Sequence, residues 1–284
     1  MISRGRSGAD DPIRPSAAWI APAALFLLVA FVAPFGALLR AASHGGPGAF
    51  LRELGGVWTH PHTRRALGNG LALSAGVSVA AILLCLPPAH LLARARFRGR
   101  GSARLLLSVP LAFSGVIVGF LAVVMLGRVG FVPAVAQALF GRPLGAGLAY
   151  ALPGLFLAYL FFEIPRAVLA LEAAFAGLDP ELDAAARSLG AGPVQRFARV
   201  TLPALRPALL ATFATTFSVS LGSYGAALIL SRRFSVLPVE AYQEFTAFGN
   251  DAGASAMAIW LAGISIVISV AARRASLPGS EATR

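Results

Sequence analysis

The sequence contains no lysine and a single cysteine, and charged residues of either sign are scarce. Its 24 basic residues are all arginines, against 12 acidic residues in 284. A phosphate-binding loop of the G-x-x-x-x-G-K-[ST] type requires a lysine, which excludes that kind of nucleotide site from this chain. The single cysteine, Cys85, lies inside an apolar run, which excludes an intramolecular disulfide and a thiolate metal cluster.

Apolar residues, in contrast, are abundant. They make up 57% of the chain, charged residues only 13%, and the mean hydropathy is +0.75. This balance is typical of a polytopic membrane protein with the lipid bilayer as its surroundings. The formal charge of +12 does not indicate nucleic-acid binding, because the arginines cluster at the ends of apolar runs, where they report membrane topology.

Six apolar runs are long enough to cross roughly 30 Å of hydrocarbon, which predicts an all-α membrane protein with six transmembrane helices. The runs are residues 17–39, 67–93, 105–127, 148–171, 205–230 and 254–272. We expect the polar ends, 1–16 and 273–284, to be cytoplasmic tails and 17–272 to form one membrane domain. The first run is longer than a signal-peptide core and lacks a clean cleavage site, so we expect it to be retained.

The arginine distribution predicts the orientation, since positive charge is retained on the cytoplasmic side. With both termini inside, most arginines lie in the cytoplasm, including the cluster 94–104 and those assigned to the polar loop, among them Arg166. This orientation places the polar segment 179–203 in the cytoplasm. We expect the chain to cross the inner (plasma) membrane of a bacterial cell.

Segment 179–203, DPELDAAARSLGAGPVQRFARVTLP, is the main polar interruption of the chain. Asp179 is a favourable N-cap, Pro180 suits the first helical position, and Gly190 suits the helix end. One face of the predicted helix carries apolar residues, namely Leu182, Ala185, Ala186 and Leu189. We expect Pro193 to open a second short helix and 201–203 to turn the chain into the next apolar run.

The segment resembles the cytoplasmic coupling loop of permease subunits in binding-protein-dependent type I ABC importers, the MetI-like family. The family pattern is E-A-A, three residues, G, nine residues, then I-x-L-P. The matching positions are Ala185, Ala186, Gly190, Val200, Leu202 and Pro203. Ala184 occupies the glutamate position and Asp183 precedes it, which leaves open whether an ion pair forms there. Glu172-Ala173-Ala174 has the wrong spacing to the glycine and is interpreted as a coincidence.

The resemblance extends over roughly residues 20–272. Asn69, Pro88 and Arg94 match the second span of the polyamine, sulfate and iron type permeases. The segment VLPVEAY, before the last span, resembles the T-L-P-V segment that the family carries at that place. By overall appearance the nearest subgroup is the spermidine/putrescine type, with thiamine, iron, sulfate and molybdate permeases close behind. No residue decides among these substrates.

The resemblance implies a transport subunit and not an enzyme. Such a chain forms the translocation pathway with a second permease subunit, either a copy or a sister chain. Its implied partners are ABC ATPase subunits, which would hydrolyse ATP, and an extracytoplasmic solute-binding protein. No cofactor or metal is implied on this chain. ATPase closure would act on 179–203 as a lever.

The pathway itself is less clearly indicated. Glu163 lies well inside an apolar run, and an ionisable residue at that depth is a functional hypothesis by default. Pairing with Arg166, one turn along, is the alternative. The complete set of pathway candidates is Ser114, Glu163, Ser220, Ser223 and Tyr224. Small and hydroxylated residues also pack helices in lipid, so a packing role is the alternative for each.

Three histidines of a predicted outer loop lie outside these motifs. His44, His60 and His62 in an outer loop have no companion cysteine or carboxylate set, which favours contact with a binding protein over a metal site. The alternative function is an ion-coupled secondary transporter. It would require paired intramembrane charges and repeated halves, and neither is evident here.

Overall fold

The computed structural model describes residues 17–43, 47–95, 97–232 and 234–276. Within these ranges every regular element is helical, which confirms the predicted all-α fold. The α-helices are α1 (Ala17–Ala42), α2 (Pro47–Thr59), α3 (Pro61–Arg94), α4 (Arg100–Ser108), α5 (Gly115–Leu126), α6 (Phe131–Phe140), α7 (Leu152–Ala176), α8 (Pro180–Ser188), α9 (Pro193–Arg196), α10 (Leu202–Leu221), α11 (Gly225–Leu230), α12 (Leu237–Thr246) and α13 (Asp251–Ser276). The predicted N-terminal tail, His44 and residues 277–284 lie outside the described residues.

Among the described residues, six helical segments are long and apolar enough to cross a membrane, as the sequence predicts. They are Ala21–Ala42, Pro61–Arg94, Gly115–Phe140, Leu152–Ala176, Pro193–Leu221 and Asp251–Ser276. Length and composition therefore support a multi-pass chain whose exposed apolar side chains face lipid or another membrane subunit.

The predicted boundaries of the third span were wrong by about ten residues. Residues 100–108 form the separate helix α4, and a 3-10 turn at Val109–Ala112 interrupts the chain before α5. Pro110 and the extended Phe113 prevent a continuous helix, and the Ser114 side chain then caps α5 by accepting a hydrogen bond from the Ile117 N–H. The spanning segment is therefore Gly115–Phe140.

The predicted turn at 201–203 was also wrong. The segment Pro193–Leu221 is one helical span in which a π-helical turn, Phe197–Thr201, joins α9 to α10. Pro203 lies in the first turn of α10, where the absence of a proline N–H is tolerated. The second half of the polar loop, from Pro193 onward, is consequently continuous with the fifth span.

The fifth span ends earlier than expected, because the helix breaks at 222–224 and resumes as α11. The break allows α11 to pack closely against α5. A Cβ on Gly225 would lie 2.8 Å from the Val116 nitrogen, and a Cβ on Gly119 would lie 3.0 Å from the Ile229 Cβ. Small residues thus hold these two helices together, as is usual for helix packing in lipid.

The centre of the molecule is formed by α3, α7 and α10. Small residues of α3, Ala81, Cys85 and Ala89, pack with large apolar residues of α7 and with Leu205 of α10. Cys85 is buried, which agrees with the packing role expected for it. This core fixes the C-terminal ends of α3 and α7 and so positions the loop that follows α7.

Candidate functional site

The helix of the polar loop forms where the sequence predicts it. The Asp179 carboxylate accepts a hydrogen bond of 2.9 Å from the Glu181 N–H, Pro180 opens α8, and the chain leaves α8 through Gly190. Gly190 has φ of +77°, the left-handed conformation that glycine adopts without a Cβ penalty. Local sequence therefore determines both ends of this helix.

The expected apolar face of α8 does not pack on its own chain as one surface. Ala186 is buried, whereas Leu182 and Leu189 are 49% and 88% exposed. Ala184 and Ala185 are exposed as well. Ala186 therefore packs within this chain, while the other apolar side chains of α8 remain exposed and available to another protein.

Asp183 joins the two halves of the loop. The Arg196 Nη1 donates to both carboxylate oxygens of Asp183 at 2.8 Å, and the Arg187 Nε lies 3.6 Å from the same carboxylate. Arg196 has a side chain only 20% exposed, and it belongs to the helical segment that continues into the fifth span. The ion pair left open by the sequence is thus formed by Asp183, and it connects α8 directly to a membrane-spanning helix.

The remaining motif positions lie along that helical segment. Val200 is half-buried in the π-helical turn, Leu202 is half-buried at the start of α10, and Pro203 is exposed beside it. They therefore lie at the N-terminal end of α10, within a continuous helical segment and not in a turn. A cavity of about 380 Å³ separates Val200 from α8 and from the ends of α3 and α7.

Two further polar contacts anchor this region, and sequence reasoning did not find them. The Arg94 Nη2 donates to the Leu178 carbonyl at 3.0 Å, linking the end of α3 to the loop. Arg104 of α4 donates two hydrogen bonds to the buried carboxylate of Glu172 in α7, one of them from Nε at 2.8 Å. Arg100 lies 3.7 Å from the same oxygen. The partners are distant in sequence, so no local pattern indicates these pairs.

Glu163 and Arg166 form an ion pair inside the fourth span. The Arg166 Nη1 donates to Glu163 Oε1 at 3.1 Å, and the Glu163 side chain is 1% exposed while that of Arg166 is 31% exposed. The assignment of Arg166 to the cytoplasmic loop was wrong, because α7 continues through Pro165 to Ala176. The Arg166 guanidinium also lies 4.6 Å from the centre of the Phe162 ring, a cation-π contact.

The other pathway candidates gather around the break between α10 and α11. Tyr159 of α7 donates from its hydroxyl to the Ser223 carbonyl at 2.7 Å, and Ser220 is buried one turn earlier, close to the Glu163 carboxyl group. Tyr224 is half-buried with its ring 4.9 Å from that of Tyr242. Ser114 is exposed and acts as the α5 cap already described.

At the opposite end of the spans, side-chain contacts join the first half of α3 to the segment around α12. The His62 Nδ1 lies 3.2 Å from the Glu240 carboxylate, and the Asn69 side chain donates to the Ser235 carbonyl at 3.0 Å. Asn69, which matches a family motif, thus ties α3 to the loop before α12. In the described part of the chain, no three His, Cys, Asp or Glu side chains are grouped as metal ligands.

Comparison with known proteins agrees with this architecture. Residues 87–276, which include the loop and the last four spans, match the family described as binding-protein-dependent transport system inner membrane component. The chain belongs to this family of ABC importer permeases. Its members are multi-pass transport subunits of the inner membrane, so the expected class of protein is confirmed.

Three similar proteins carry names that identify them as molybdenum or sulfate permeases. A probable molybdenum ABC transporter permease of Haloferax volcanii is 31% identical over 84% of this chain and 83% of its own. The molybdenum transport system permease of Escherichia coli K12 is 33% identical over 71% of this chain and 91% of its own. A sulfate transport system permease of Synechocystis is 27% identical over 88% and 89%. The resemblance to spermidine/putrescine permeases is not supported by these relatives.

Solved structures show the same fold at low sequence identity. A bacterial alginate ABC transporter, solved with an alginate-bound periplasmic protein, contains a chain with TM-score 0.75 and 20% identity, covering 93% of this chain and 95% of that chain. The MetNI methionine ABC transporter contains one with TM-score 0.59 and 16% identity, covering 75% and 93%. Family membership therefore favours an ABC importer permease over the alternative of an ion-coupled secondary transporter.

Proposed function

We propose that this chain forms the membrane pathway of an ABC importer for a tetrahedral oxyanion, molybdate or sulfate. The support for the substrate is the designation of its relatives, two as molybdenum permeases and one as a sulfate permease. The substrates expected from the sequence included both. A polyamine is a cation and would need a pathway of opposite electrostatic character.

The observation that carries the transport mechanism is the Asp183–Arg196 ion pair. It fixes α8, with Leu182 and Leu189 exposed, to the helical segment that crosses the membrane as the fifth span. A partner that moves α8 therefore moves the start of that span. We assign ATP hydrolysis to separate ATPase subunits, because this chain has no lysine for a phosphate-binding loop.

The proposed assembly contains two ATPase subunits, this chain, a second permease subunit and an extracytoplasmic solute-binding protein. The exposed surface of α8 suits the ATPase, since apolar side chains on a polar helix require cover. Substrate passes between the two permease subunits. Ser114, Glu163, Ser220, Ser223 and Tyr224 are the residues proposed to lie near this path.

The experiment combines purification with transport. The tagged chain is expressed with its neighbouring ATPase and permease genes, purified in mild detergent and reconstituted with a solute-binding protein. We expect an ATPase subunit to co-purify, and we expect uptake of radiolabelled molybdate or sulfate to require ATP. Purification of the chain alone, with no ATP-dependent uptake, would contradict the proposed assembly. Uptake of spermidine in place of either oxyanion would contradict the proposed substrate.

Orientation is tested by labelling. In a Cys85→Ala background, Ser188→Cys in α8 and Thr246→Cys in α12 place single thiols at exposed sites on the two loops. With both termini cytoplasmic, a membrane-impermeant maleimide added to intact cells lacking an outer barrier should label position 246 and not 188. The reverse pattern would contradict the proposed orientation.

A further inference from the structure

The surface of α7 and α10 contains a mostly apolar groove with Arg166 on its wall, within the length of two candidate membrane spans. It has a volume of about 210 Å³ and is lined by Arg166 and by threonines and alanines of α10, namely Ala208, Ala211, Thr212, Thr215 and Thr216. Arg166 is the tenth residue before the end of α7, which places its Cα about 15 Å from that end and about 21 Å from the other. The groove thus lies within the candidate span and away from both ends of α7.

Contact between a guanidinium and lipid hydrocarbon is costly within a membrane span. The Arg166 side chain is 31% exposed, so a substantial part of it faces outward from this chain. Charged side chains within membrane spans face a subunit interface or a water-filled path because exposure to hydrocarbon is costly. The outward-facing part of Arg166 therefore marks the side of the chain on which the second permease subunit and the pathway lie.

The groove offers hydrogen-bond donors suited to an anion. The bond from Arg166 Nη1 to Glu163 uses only part of a planar set of N–H donors that matches carboxylate and phosphate oxygens. The Thr215 hydroxyl is exposed and donates to the Ala211 carbonyl at 2.9 Å, and its hydrogen can rotate toward an anion instead. The groove, at about 210 Å³, is smaller than the roughly 300–1,000 Å³ of pockets for drug-sized ligands, which suits it to a small ion.

The pairing with Glu163 sets the strength of such a site. An unpaired arginine would hold an anion tightly, whereas transport requires binding that is favourable enough for entry and weak enough for release. Glu163 is buried and offsets part of the Arg166 charge while it holds the guanidinium in place. Glu163 is accordingly a positioning residue, and Arg166 is the residue that meets the ion.

We infer that the Arg166–threonine groove is a transient oxyanion site in the translocation pathway, which binds molybdate or sulfate as the ion passes between the permease subunits. This inference rests on the proposed function, because it takes the substrate class from there. It adds the residues of this chain that recognise the ion within the membrane, and it does not depend on the coupling loop.

The test uses the complete complex in proteoliposomes with ATP and loaded binding protein. Arg166→Gln should lower the maximal uptake of radiolabelled molybdate or sulfate by about tenfold, the effect of losing a hydrogen bond to a charged group. Stimulation of ATPase activity by the loaded binding protein should persist. Arg166→Lys should restore part of the uptake. The double variant Glu163→Gln/Arg166→Gln leaves no unpaired buried charge and should be as defective as Arg166→Gln.

Matched controls lie on the same chain. Arg206→Gln removes an exposed arginine from α10 outside the groove, and it should leave uptake unchanged. Thr215→Val should lower uptake by about threefold, since it removes one neutral hydrogen-bonding group. Thr246→Val removes an equally exposed hydroxyl with the same type of bond to the carbonyl four residues earlier, and it should have no effect.

The outcomes separate the two proposals. Wild-type complex that takes up neither oxyanion would overturn the proposed substrate and this site with it. Oxyanion uptake that persists in the double variant would overturn the site alone. Loss of the second permease subunit from the purified double variant would also overturn it, because Arg166 would then be a subunit contact. If the complex carrying Arg166→Gln alone fails to assemble, oxyanion uptake by the double variant is the measurement that tests the site.

Discussion

Arg196 donates from one nitrogen, Nη1, to both carboxylate oxygens of Asp183, each at 2.8 Å. The two residues belong to α8 and to the helical segment of the fifth span, so the ion pair closes the loop between them. The family motif carries its glutamate one position later, where this chain has Ala184. Asp183 therefore supplies a carboxylate in this loop although the motif residue itself is absent.

The first prediction concerns this ion pair. Asp183→Asn should reduce uptake per ATP hydrolysed severalfold while ATPase activity remains, since α8 can then move without moving the fifth span. Because Asp183 is 44% exposed, we expect its contribution to the free energy of unfolding to be at most about 1 kcal/mol. Uptake and hydrolysis are measured together in proteoliposomes, with thermal unfolding recorded in parallel.

Glu181→Gln is the matched control for that prediction, because it removes an acidic charge from an exposed position of the same helix. It should leave coupling unchanged. A double-mutant cycle with Arg196→Gln checks the pair directly. Strictly additive effects of Asp183→Asn and Arg196→Gln would show that the two side chains do not act as a unit.

The second prediction concerns the end of α8. Gly190→Val forces a β-branched residue into φ of +77° and should cost about 1–2 kcal/mol locally, uncoupling hydrolysis from uptake without preventing membrane insertion. No heavy atom lies within 4 Å of the site for a new Cβ, so the effect comes from the backbone alone. Insertion is followed by membrane fractionation and coupling by uptake per ATP.

Gly192→Val provides the comparison. Gly192 also has open space around a new Cβ, but its φ is −66°, which valine adopts readily. It should retain coupled transport, and Gly190→Asn should retain more than Gly190→Val, since asparagine tolerates the left-handed region. Equal loss in the two valine variants would argue against a requirement for the left-handed cap.

The third prediction concerns Glu172 and Arg104. Arg104→Ala leaves the Glu172 carboxylate buried with only Arg100 nearby, at 3.7 Å, and should lower the melting temperature in detergent by about 5 °C. Glu172→Gln should cost less, because the arginines that remain are more exposed and can be hydrated. Arg98→Ala, at an exposed position, is the control. A larger effect for Glu172→Gln would contradict this asymmetry.

The fourth prediction concerns the contact between α5 and α11. Gly119→Val places a side chain against Ile229 and Ala226, with the new Cβ only 3.0 Å from the Ile229 Cβ, and should destabilise the protein by about 1–3 kcal/mol. Gly263→Val, in the last span, meets no atom within 4 Å and should be tolerated. Thermal unfolding of the two purified variants measures the difference. Equal melting temperatures would show that α11 can move away from α5 without cost.

Some features of the candidate site followed from local sequence alone. Asp179, Pro180 and Gly190 define α8 because capping and backbone preference involve only neighbouring residues. The prediction of a turn beginning at Thr201 was wrong for a related reason. A proline near a helix start ends one helix or opens another, and here a π-helical turn lets the helix continue.

Arg166 was counted with the cytoplasmic arginines although the predicted fourth span, 148–171, already contained it. Pro165 lies inside α7, where packing against α3 sustains the helix on both sides of it. The arginine count used for topology therefore included a residue that lies inside a candidate membrane span. Its partner Glu163 was identified from the sequence, since an acidic residue within an apolar run stands out by composition alone.

By itself the sequence determined that this is an all-α chain with six spans and a capped polar helix between two of them. These properties follow from apolar run length and from contacts between residues near in the chain. Only the tertiary structure decided that Asp183 joins Arg196, that Glu172 joins Arg104 and that Arg166 faces a groove. Such pairs depend on how the helices pack, and packing is governed by shape and small-residue contacts that no local pattern encodes.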